Sequence, residues 1–323
     1  LSAATTADNN TAVGYYALAA NTTGINNTIM GSFAGDANTT GHYNVALGTL
    51  ALSANTTADG NTALGYGTLT ANTTAGDTTA VGRSALAANT TGARNTAVGA
   101  YALDANTTDT DNTAVGYQAL SAAAGASYTV GVGTYAGKAL TTGASNSFVG
   151  YSSGQATTTG ANNTAVGKSA LFTNTGSGDN TAIGFQALYT SAGARNTALG
   201  HNALFNNTTA DNNVAVGKDA LEANTTGTQN VAVGTYALDA NTTSSNSTAI
   251  GYAAMTTSTG ANNTGVGASA LNACTTGNAN TAVGQGAAQA ITTGASNIAV
   301  GLGALEAVTT SDNNVALGRD AGA

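Results

Sequence analysis

The residues that could do chemistry in this chain are dominated by asparagine, which recurs in Asn-Thr-Thr triplets. Each triplet is formally an acceptor for N-glycosylation, in which the asparagine nitrogen carries the sugar on an exposed turn. The alternative is a turn sequence that has been copied along the chain by duplication. The sequence leaves both interpretations open. The candidate glycosylation sites are Asn21, Asn38, Asn55, Asn72, Asn89, Asn106, Asn207, Asn224 and Asn241.

Histidine, aspartate and cysteine, the residue types that serve in catalysis and metal binding, are thinly spread. Neither His42 nor His201 has a nucleophile and a carboxylate arranged as a catalytic triad requires. Asp109 and Asp111 could bind Ca²⁺ weakly through a loop, but the glycine-aspartate repeat of calcium-binding β-rolls is absent. The single cysteine, Cys274, excludes a disulfide framework. We therefore predict no catalytic, cofactor-binding or metal site, and we expect that the protein is not an enzyme.

Two glycine motifs share only part of the pattern of nucleotide-binding loops. Gly167-Lys168-Ser169 ends like a phosphate-binding loop, but the glycine that such a loop needs five residues earlier is Asn162. The second motif begins like a dinucleotide-binding loop at Gly131 and Gly133, yet its next glycine, Gly137, comes one residue late. Both motifs are therefore interpreted as parts of a structural repeat.

The composition excludes several classes of protein. Charged residues make up 7% of the 323 residues, and the net charge of −8 comes from 7 basic and 15 acidic side chains. Without a basic patch we expect no nucleic-acid partner, and without a long apolar run we expect no membrane insertion within this segment. Hydrophobic residues are 42% of the chain, roughly half of them alanine, so bulky core residues are too scarce for a helical enzyme.

A motif close to Asn-Thr-Ala-Val-Gly recurs from end to end in nineteen copies. We call its last residue the closing glycine and count positions in each repeat from it. Sixteen of the eighteen spacings between closing glycines are 17 residues, and two are 16. Such internal repetition is typical of solenoid proteins. The closing glycines are Gly14, Gly31, Gly48, Gly65, Gly82, Gly99, Gly116, Gly133, Gly150, Gly167, Gly184, Gly200, Gly217, Gly234, Gly251, Gly267, Gly284, Gly301 and Gly318.

A repeat of 17 residues is too short for a helix pair or a propeller blade and fits one coil of a β-solenoid, with two short strands and two turns. The β-branched residues before each closing glycine favour a strand, and the many Gly, Asn and Thr residues disfavour a helix. The predicted fold is therefore all-β: a parallel β-solenoid or β-roll of nineteen 17-residue coils, with residues 1–323 as a single repeat array. Stacked parallel strands would make it a rod about 90 Å long.

The residue directly before the closing glycine is aliphatic in all nineteen copies, so we expect it in the core of the coil. The residue two before the glycine is alanine in most copies and never polar. Because side chains alternate faces along a strand, we expect this second face to be dry as well, packed against another copy of the chain through residues such as Ala114 and Ala232.

Asparagine also occupies the position four before the closing glycine in sixteen copies. Stacked coils would align these amides in a ladder, each bonded to the next. Ordinary turn preference explains the same pattern equally well.

The segments Asn-Thr-Ala-Val-Gly-Tyr-Gln-Ala-Leu (112–120) and Asn-Val-Ala-Val-Gly (230–234) resemble the head repeats of trimeric autotransporter adhesins. They are also similar to shaft repeats of phage-type tail fibres that end in a self-cleaving chaperone domain. The resemblance implies a left-handed parallel β-roll, with three chains around one axis, used for surface attachment. This sequence departs from the adhesin pattern in its longer coil and in its Asn-Thr-Thr loops.

From the repeats and the resemblance we expect a shaft or adhesive segment of an extracellular filament, fibre or cell-surface adhesin. Its partners would be copies of itself, as a homotrimer or a head-to-tail filament, and surface glycans. The first and last repeats match the interior ones, so we expect either a longer native chain or ends that stack on neighbouring copies. The alternative is ice or glycan binding through outward Thr and Asn ladders, although adjacent Thr22 and Thr23 would give single-file rows.

Overall fold

The computed structural model describes residues 3–322 in two compact units, unit 1 up to Asn162 and unit 2 from Asn163. Residues 3–322 contain no helix. The strands that the structure describes in unit 1 are β1 (Thr11–Val13), β2 (Thr28–Met30), β3 (Val45–Leu47), β4 (Thr62–Leu64), β5 (Thr79–Val81), β6 (Thr96–Val98), β7 (Thr113–Val115), β8 (Val130–Val132) and β9 (Ser147–Val149). Those described in unit 2 are β10 (Thr164–Val166), β11 (Thr181–Ile183), β12 (Thr197–Leu199), β13 (Val214–Val216), β14 (Val231–Val233), β15 (Thr248–Ile250), β16 (Thr264–Val266), β17 (Thr281–Val283), β18 (Ile298–Val300) and β19 (Val315–Leu317).

Within each unit, every strand pairs in parallel with the strand of the next repeat. Equivalent residues of the repeats face each other, as where β6 and β7 pair Ala97 with Ala114 and Val98 with Val115. A chain that adds one in-register parallel strand per repeat is a β-solenoid. The predicted all-β, parallel β-solenoid fold is therefore confirmed for each unit.

The expectation of two strands in each coil is wrong, because each repeat contains one three-residue strand and is otherwise turns. Tyr101 and Leu103 have positive φ angles of 59° and 50°, which a strand does not allow. Such angles cost a non-glycine residue about 1–2 kcal/mol. That cost is offset because the side chain of Leu103 is fully buried and its N–H donates to the carbonyl of Ala119 in the next coil at 3.1 Å.

The closing glycine is invariant because two neighbouring coils approach each other too closely for a side chain. At Gly116, φ is +136°, and a Cβ atom there would lie 2.6 Å from the carbonyl oxygen of Gly133. Real Cβ atoms do not come so close to a backbone oxygen, and this region of φ also disfavours side chains. The glycine thus sets the distance between coils at the point where the strand ends.

The two faces of each strand are the reverse of the expectation. Ala97 and Ala114 are 0% exposed inside their own coils, whereas Val98 and Val115 are 37% and 36% exposed on the outside. The inversion has a steric cause, since the leucine four residues after the closing glycine already fills the interior. We call the residues two before the closing glycine the alanine row and the residues directly before it the outer row.

Because the alanine row is inside the coil, the predicted packing of Ala114 and Ala232 against another chain is wrong. The interior is too narrow for a second large side chain opposite the leucine. At Gly131 in this row, where the alanine methyl is missing, the side chain of Leu120 occupies its space, and a Cβ atom would lie 2.7 Å from Cγ of Leu120. Alanine is therefore the residue of choice for reasons of size, as expected in a close-packed core.

Larger residues occur in the alanine row where glycine replaces the leucine that would lie opposite them. Phe148 is fully buried, and the leucines that most repeats would place beside it are replaced by Gly137 and Gly154. A Cβ atom at Gly137 would lie 2.7 Å from Cδ2 of the Phe148 ring, and one at Gly154 would also collide with that ring. Ile29 also faces a glycine in place of leucine, Gly35, where a Cβ atom would lie 3.4 Å from Cδ1 of Ile29, which is an ordinary contact. The interior volume is thus kept by compensating pairs.

Candidate functional surfaces

The nine asparagines of the Asn-Thr-Thr triplets lie inside the coils, stacked in two amide ladders. All nine side chains are buried. From Asn21 to Asn106, each Nδ2 donates to Oδ1 of the preceding asparagine at 2.8–3.1 Å. From Asn207 to Asn241, the same bonds measure 2.9–3.1 Å. Each Nδ2 also donates to the backbone carbonyl three residues later, so the amides bind both their own turn and the neighbouring coil.

The expected placement of these asparagines on an exposed turn is wrong for their side chains. In all but Asn21 and Asn207, where the ladders start, both Nδ2 hydrogens are used inside the coil. A sugar on Nδ2 would remove one of these bonds and would need space that the buried ladder does not have. Glycosylation of the folded chain at these nine positions is therefore not part of the function that we propose.

The asparagines four before the closing glycine form a second buried row, which joins side chain to backbone. Oδ1 of Asn27 accepts the backbone N–H of Asn44 at 2.9 Å, and Nδ2 of Asn44 donates to the carbonyl of Ala58 at 2.9 Å. Direct amide-to-amide bonds occur at some places in this row, as from Asn314 to Asn297 at 2.8 Å. The row is thus a ladder in which the backbone supplies most of the partners.

The outward face of each strand carries two side chains, a residue that is usually threonine and the outer-row residue. The outer row is Val, Leu, Ile or Met in every repeat, with no polar replacement. In-register pairing stacks equivalent residues into continuous lines within each unit, as with Thr113 and Val115 beside Thr96 and Val98. The result is a regular face, two residues wide, of threonine and exposed aliphatic side chains.

The threonines of the Asn-Thr-Thr turns lie elsewhere on the coil and serve the stacking. Both the backbone N–H and the Oγ1 hydroxyl of Thr22 donate to the carbonyl of Thr39, at 2.9 and 3.0 Å. The next residue, Thr23, is exposed. In seven of the nine triplets the first threonine hydroxyl donates in this way to the neighbouring coil. The regular threonine-aliphatic face lies on the strand and not on this turn.

Aromatic side chains form short lines along both units. In unit 1, four tyrosines of consecutive repeats contact edge to face with ring centres 5.6–6.3 Å apart, and the Arg83 guanidinium lies 4.7 Å from the first ring centre. In unit 2, three rings stack in parallel at 5.0 Å. Such pairs add about 0.5–1.5 kcal/mol each between coils. The rings are Tyr101, Tyr117, Tyr135 and Tyr151 in unit 1, and Phe172, Tyr189 and Phe205 in unit 2.

The two histidines and the lysine of the Gly167-Lys168-Ser169 motif contact neighbouring coils. His42 lies in unit 1, where its Nδ1 accepts the backbone N–H of Ile25 at 3.0 Å. His201 lies in unit 2, with its Nδ1 3.6 Å from a carboxylate oxygen of Asp219. Lys168 of the glycine motif lies with its ammonium 5.7 Å from the ring centre of Phe185. Each of these contacts links a side chain to the neighbouring coil.

Asp111, weighed as a calcium ligand, pairs instead with Arg94 of the preceding coil. Arg94 Nε donates to Asp111 Oδ1 at 2.7 Å, and its Nη2 donates to Oδ2 at 2.9 Å. This bidentate pair lowers the pKa of the Asp111 carboxyl from its ordinary value. Cys274 stands in the amide-ladder position of its repeat, where burial raises the pKa of the thiol and the S–H donates to the carbonyl of Gly277 at 3.4 Å.

Three aspartates share the fifth position after the closing glycine: Asp36, Asp104 and Asp239. Each has one carboxylate oxygen that is buried without a hydrogen-bond partner. Burial raises the pKa of all three carboxyl groups above the ordinary value, because desolvation disfavours the charged form. These side chains are therefore more compatible with the fold when protonated.

Residues 3–322 contain no cluster of three or more His, Cys, Asp or Glu side chains placed to hold a metal ion. Over the same range, no helix is long and apolar enough to cross a membrane. The sequence matches no known protein-family model and none of the curated proteins with which it was compared.

Proposed function

We propose that this chain is a structural segment, a shaft or adhesive part of an extracellular filament, fibre or cell-surface adhesin. In this proposal copies of the chain associate laterally through the outer row. The observation that carries it is that the outer row is apolar in all nineteen repeats, although thirteen of its side chains are exposed and the other six are half-buried. A chain of stacked, self-similar coils offers length and a repeated surface, which suit a mechanical role.

The outer row has the chemistry of an interface with another copy. Exposed apolar patches of more than a few hundred Å² are rare on monomeric proteins and mark interaction sites. The row varies in size, from Val115 to Leu199 and Met30, but never in polarity. A partner that presents the same variable aliphatic row tolerates such variation, because side chains of both copies can interdigitate.

We propose three chains around one axis, with the outer rows turned towards the axis, as the resemblance to adhesin and tail-fibre repeats implies. A symmetric assembly of this kind uses the same surface patch of every chain. It also removes the aliphatic rows from water, at about 25 cal/mol for each Å² of apolar surface buried. Stacking of further copies on the first and last coils would extend the trimer into a filament.

The purified chain tests this proposal by sedimentation velocity together with negative-stain electron microscopy. We expect a sedimenting species of three chains and elongated particles or filaments. A monodisperse monomer at high protein concentration would contradict lateral association through the outer row. Another oligomer number would retain the interface but overturn the threefold arrangement.

A second candidate function is ice binding, which one observation favours: the strand face is regular and two residues wide. Thr96 and Val98 in one repeat and Thr113 and Val115 in the next present hydroxyl and methyl groups at fixed spacing. A flat, repeated array of this kind can order water into an ice-like layer. Thermal hysteresis of the purified chain tests this candidate, with a Thr113→Tyr variant as the disrupted face and Thr108→Tyr as the control.

A further inference from the structure

A polar cleft in unit 2 lies beside two glycines at a position where most repeats carry a side chain. It has a volume of about 340 Å³ and is open to solvent. Its lining includes Gly286 and Gly303, which occupy the same position, two residues after the closing glycine, in successive repeats. The cleft therefore arises where two neighbouring coils both lack a side chain at one position.

The backbone at this position accepts side chains elsewhere in the chain. Gly286 and Gly303 both have φ of +64°, and Tyr236, Tyr135 and Ser269 adopt 58°, 61° and 56° at the equivalent position. The glycines are thus not required by the backbone conformation. Most repeats carry a side chain at this position. At Gly286 the missing side chain leaves space, whereas a Cβ atom at Gly303 would lie 2.7 Å from a carboxylate oxygen of Asp320.

The walls of the cleft offer both donors and acceptors of hydrogen bonds. Gln285 and Gln289 each present an amide oxygen and an amide nitrogen, and Glu306 adds a carboxylate. Leu302, which is 46% exposed, provides an aliphatic surface at the side. The lining residues include no lysine or arginine. A carboxylate without a basic neighbour in the wall disfavours phosphate and other anions.

We propose that this cleft binds a neutral monosaccharide unit of a glycan. A sugar presents adjacent hydroxyl groups that both donate and accept, which amide and carboxylate side chains satisfy in pairs, and a C–H face that packs on an aliphatic side chain. The ring of one pyranose also fits the volume. The inference does not rest on the proposed filament, because the lining residues include none of the outer row and none of the amide ladders.

The test is saturation-transfer NMR of the full chain with a panel of methyl pyranosides, supported by titration to obtain Kd. Gly286→Tyr fills the cleft with a side chain that the same position carries in Tyr236. Its control is Gly67→Tyr, which places the same residue at the equivalent position of another repeat, where φ is 62° and a Cβ atom meets nothing closer than 3.5 Å. A second pair is Gln289→Ala with Gln155→Ala as its positional control.

We expect transfer to at least one pyranoside from the unmodified chain and from both control variants. Gly286→Tyr should abolish it, and Gln289→Ala should weaken binding about tenfold, the loss of one hydrogen bond to a sugar hydroxyl. Absence of transfer to every pyranoside, or equal binding by Gly286→Tyr and Gly67→Tyr, would overturn the proposal. Neither result bears on the outer row, because oligomeric state is measured separately.

Discussion

The two faces of the same short strand follow different rules. The alanine row inside the coil changes size only where another residue changes in the opposite direction, as with Phe148 beside Gly154 and Ile29 beside Gly35. The outer row changes freely among Val, Leu, Ile and Met, with no compensating change required, but never becomes polar. Volume constrains the first row, and polarity constrains the second.

This difference teaches how the interior face of a strand can be told apart from the outward face that we propose as an interface. In the closed interior of the coil, a side chain that is too large and one that is too small both lower the stability, because the walls are formed by the chain itself. An interface between copies can adjust its spacing, so it demands apolar character more than a particular size. Predictions can therefore be made separately for each row and for the polar groups that lie between them.

The largest effect is expected inside the coil, at Phe148 and Gly154. Phe148→Ala should leave a cavity and lower the free energy of unfolding by about 3–5 kcal/mol. Gly154→Leu alone should be at least as harmful, because its side chain would enter the Phe148 ring. The double variant restores the alanine-leucine pair of the other repeats, and Leu103 shows that the backbone accepts leucine there at φ of 50°. Chemical denaturation measures all three variants.

Additive losses in that double variant would contradict compensation across the interior. A coupling energy of 2 kcal/mol or more in favour of the double variant would support it, in the usual sense of a double-mutant cycle. As a control, Val149→Ala changes the adjacent outer-row residue. It should lower the free energy of unfolding by less than about 1 kcal/mol in the dissociated chain, because Val149 is already partly in water.

The next largest effect is expected in the amide ladder at Asn72. Asn72→Ala removes bonds to Asn55 and Asn89 and leaves buried polar groups without partners. We expect a loss of about 2–3 kcal/mol in the free energy of unfolding. Asn106→Ala should cost less, since Oδ1 of Asn106 already lacks a partner at the end of its ladder. Equal losses at both positions, measured by urea denaturation, would argue against a cooperative ladder.

The smallest effect concerns pH and the buried carboxylate oxygens. Burial raises the pKa of Asp104. The protonated carboxyl group therefore contributes stability below the ordinary pKa, and this contribution is lost as pH rises through the raised pKa. Asp104→Asn should therefore raise Tm by about one or two degrees at pH 7 and leave it unchanged near pH 3. Asn272 shows that an amide fits this position.

The control for this pH effect is Asp111, whose pKa is lowered by the bidentate contact with Arg94. Its contribution has the opposite sign, present above the ordinary pKa and lost as pH falls. Asp111→Asn should lower Tm slightly at pH 7 and have no effect at low pH. Thermal melts of both variants at pH 3 and pH 7 measure the sign of each change in Tm. A rise in Tm at pH 7 for both variants would contradict the opposite directions of the two pKa shifts.

The repeat length and the β-branched residues before each closing glycine were enough to predict a parallel β-solenoid. These features were not enough to predict which side chains point into the coil, because alternation along a strand does not say which face is inside. Size covariation could have decided it: Phe148 occurs where Gly137 and Gly154 replace leucine, and both signals are in the sequence. The second strand was predicted wrongly because positive φ at leucine, as in Leu103, is not visible from propensities.

The contacts of the polar residues could be predicted from the sequence only in part. The Asn-Thr-Thr triplets follow a rule for exposed glycosylation sites, but the stacking that buries Asn21 to Asn106 arises only when coils are in register. The cleft above Gly286 and Gly303 likewise needs two coils side by side. Both features depend on contacts between neighbouring coils and therefore required the structure.

The outer row provides the most direct test of the account. Val81, Val98 and Val115, all changed to Asp, should dissociate the assembly to monomers in sedimentation velocity while the β-sheet circular dichroism stays unchanged. The matched control changes Thr74, Thr91 and Thr108 to Asp, which adds the same charge at exposed positions of the same stretch of chain, and should leave the assembly intact. Dissociation by both variants, or by neither, would contradict self-association through the outer row.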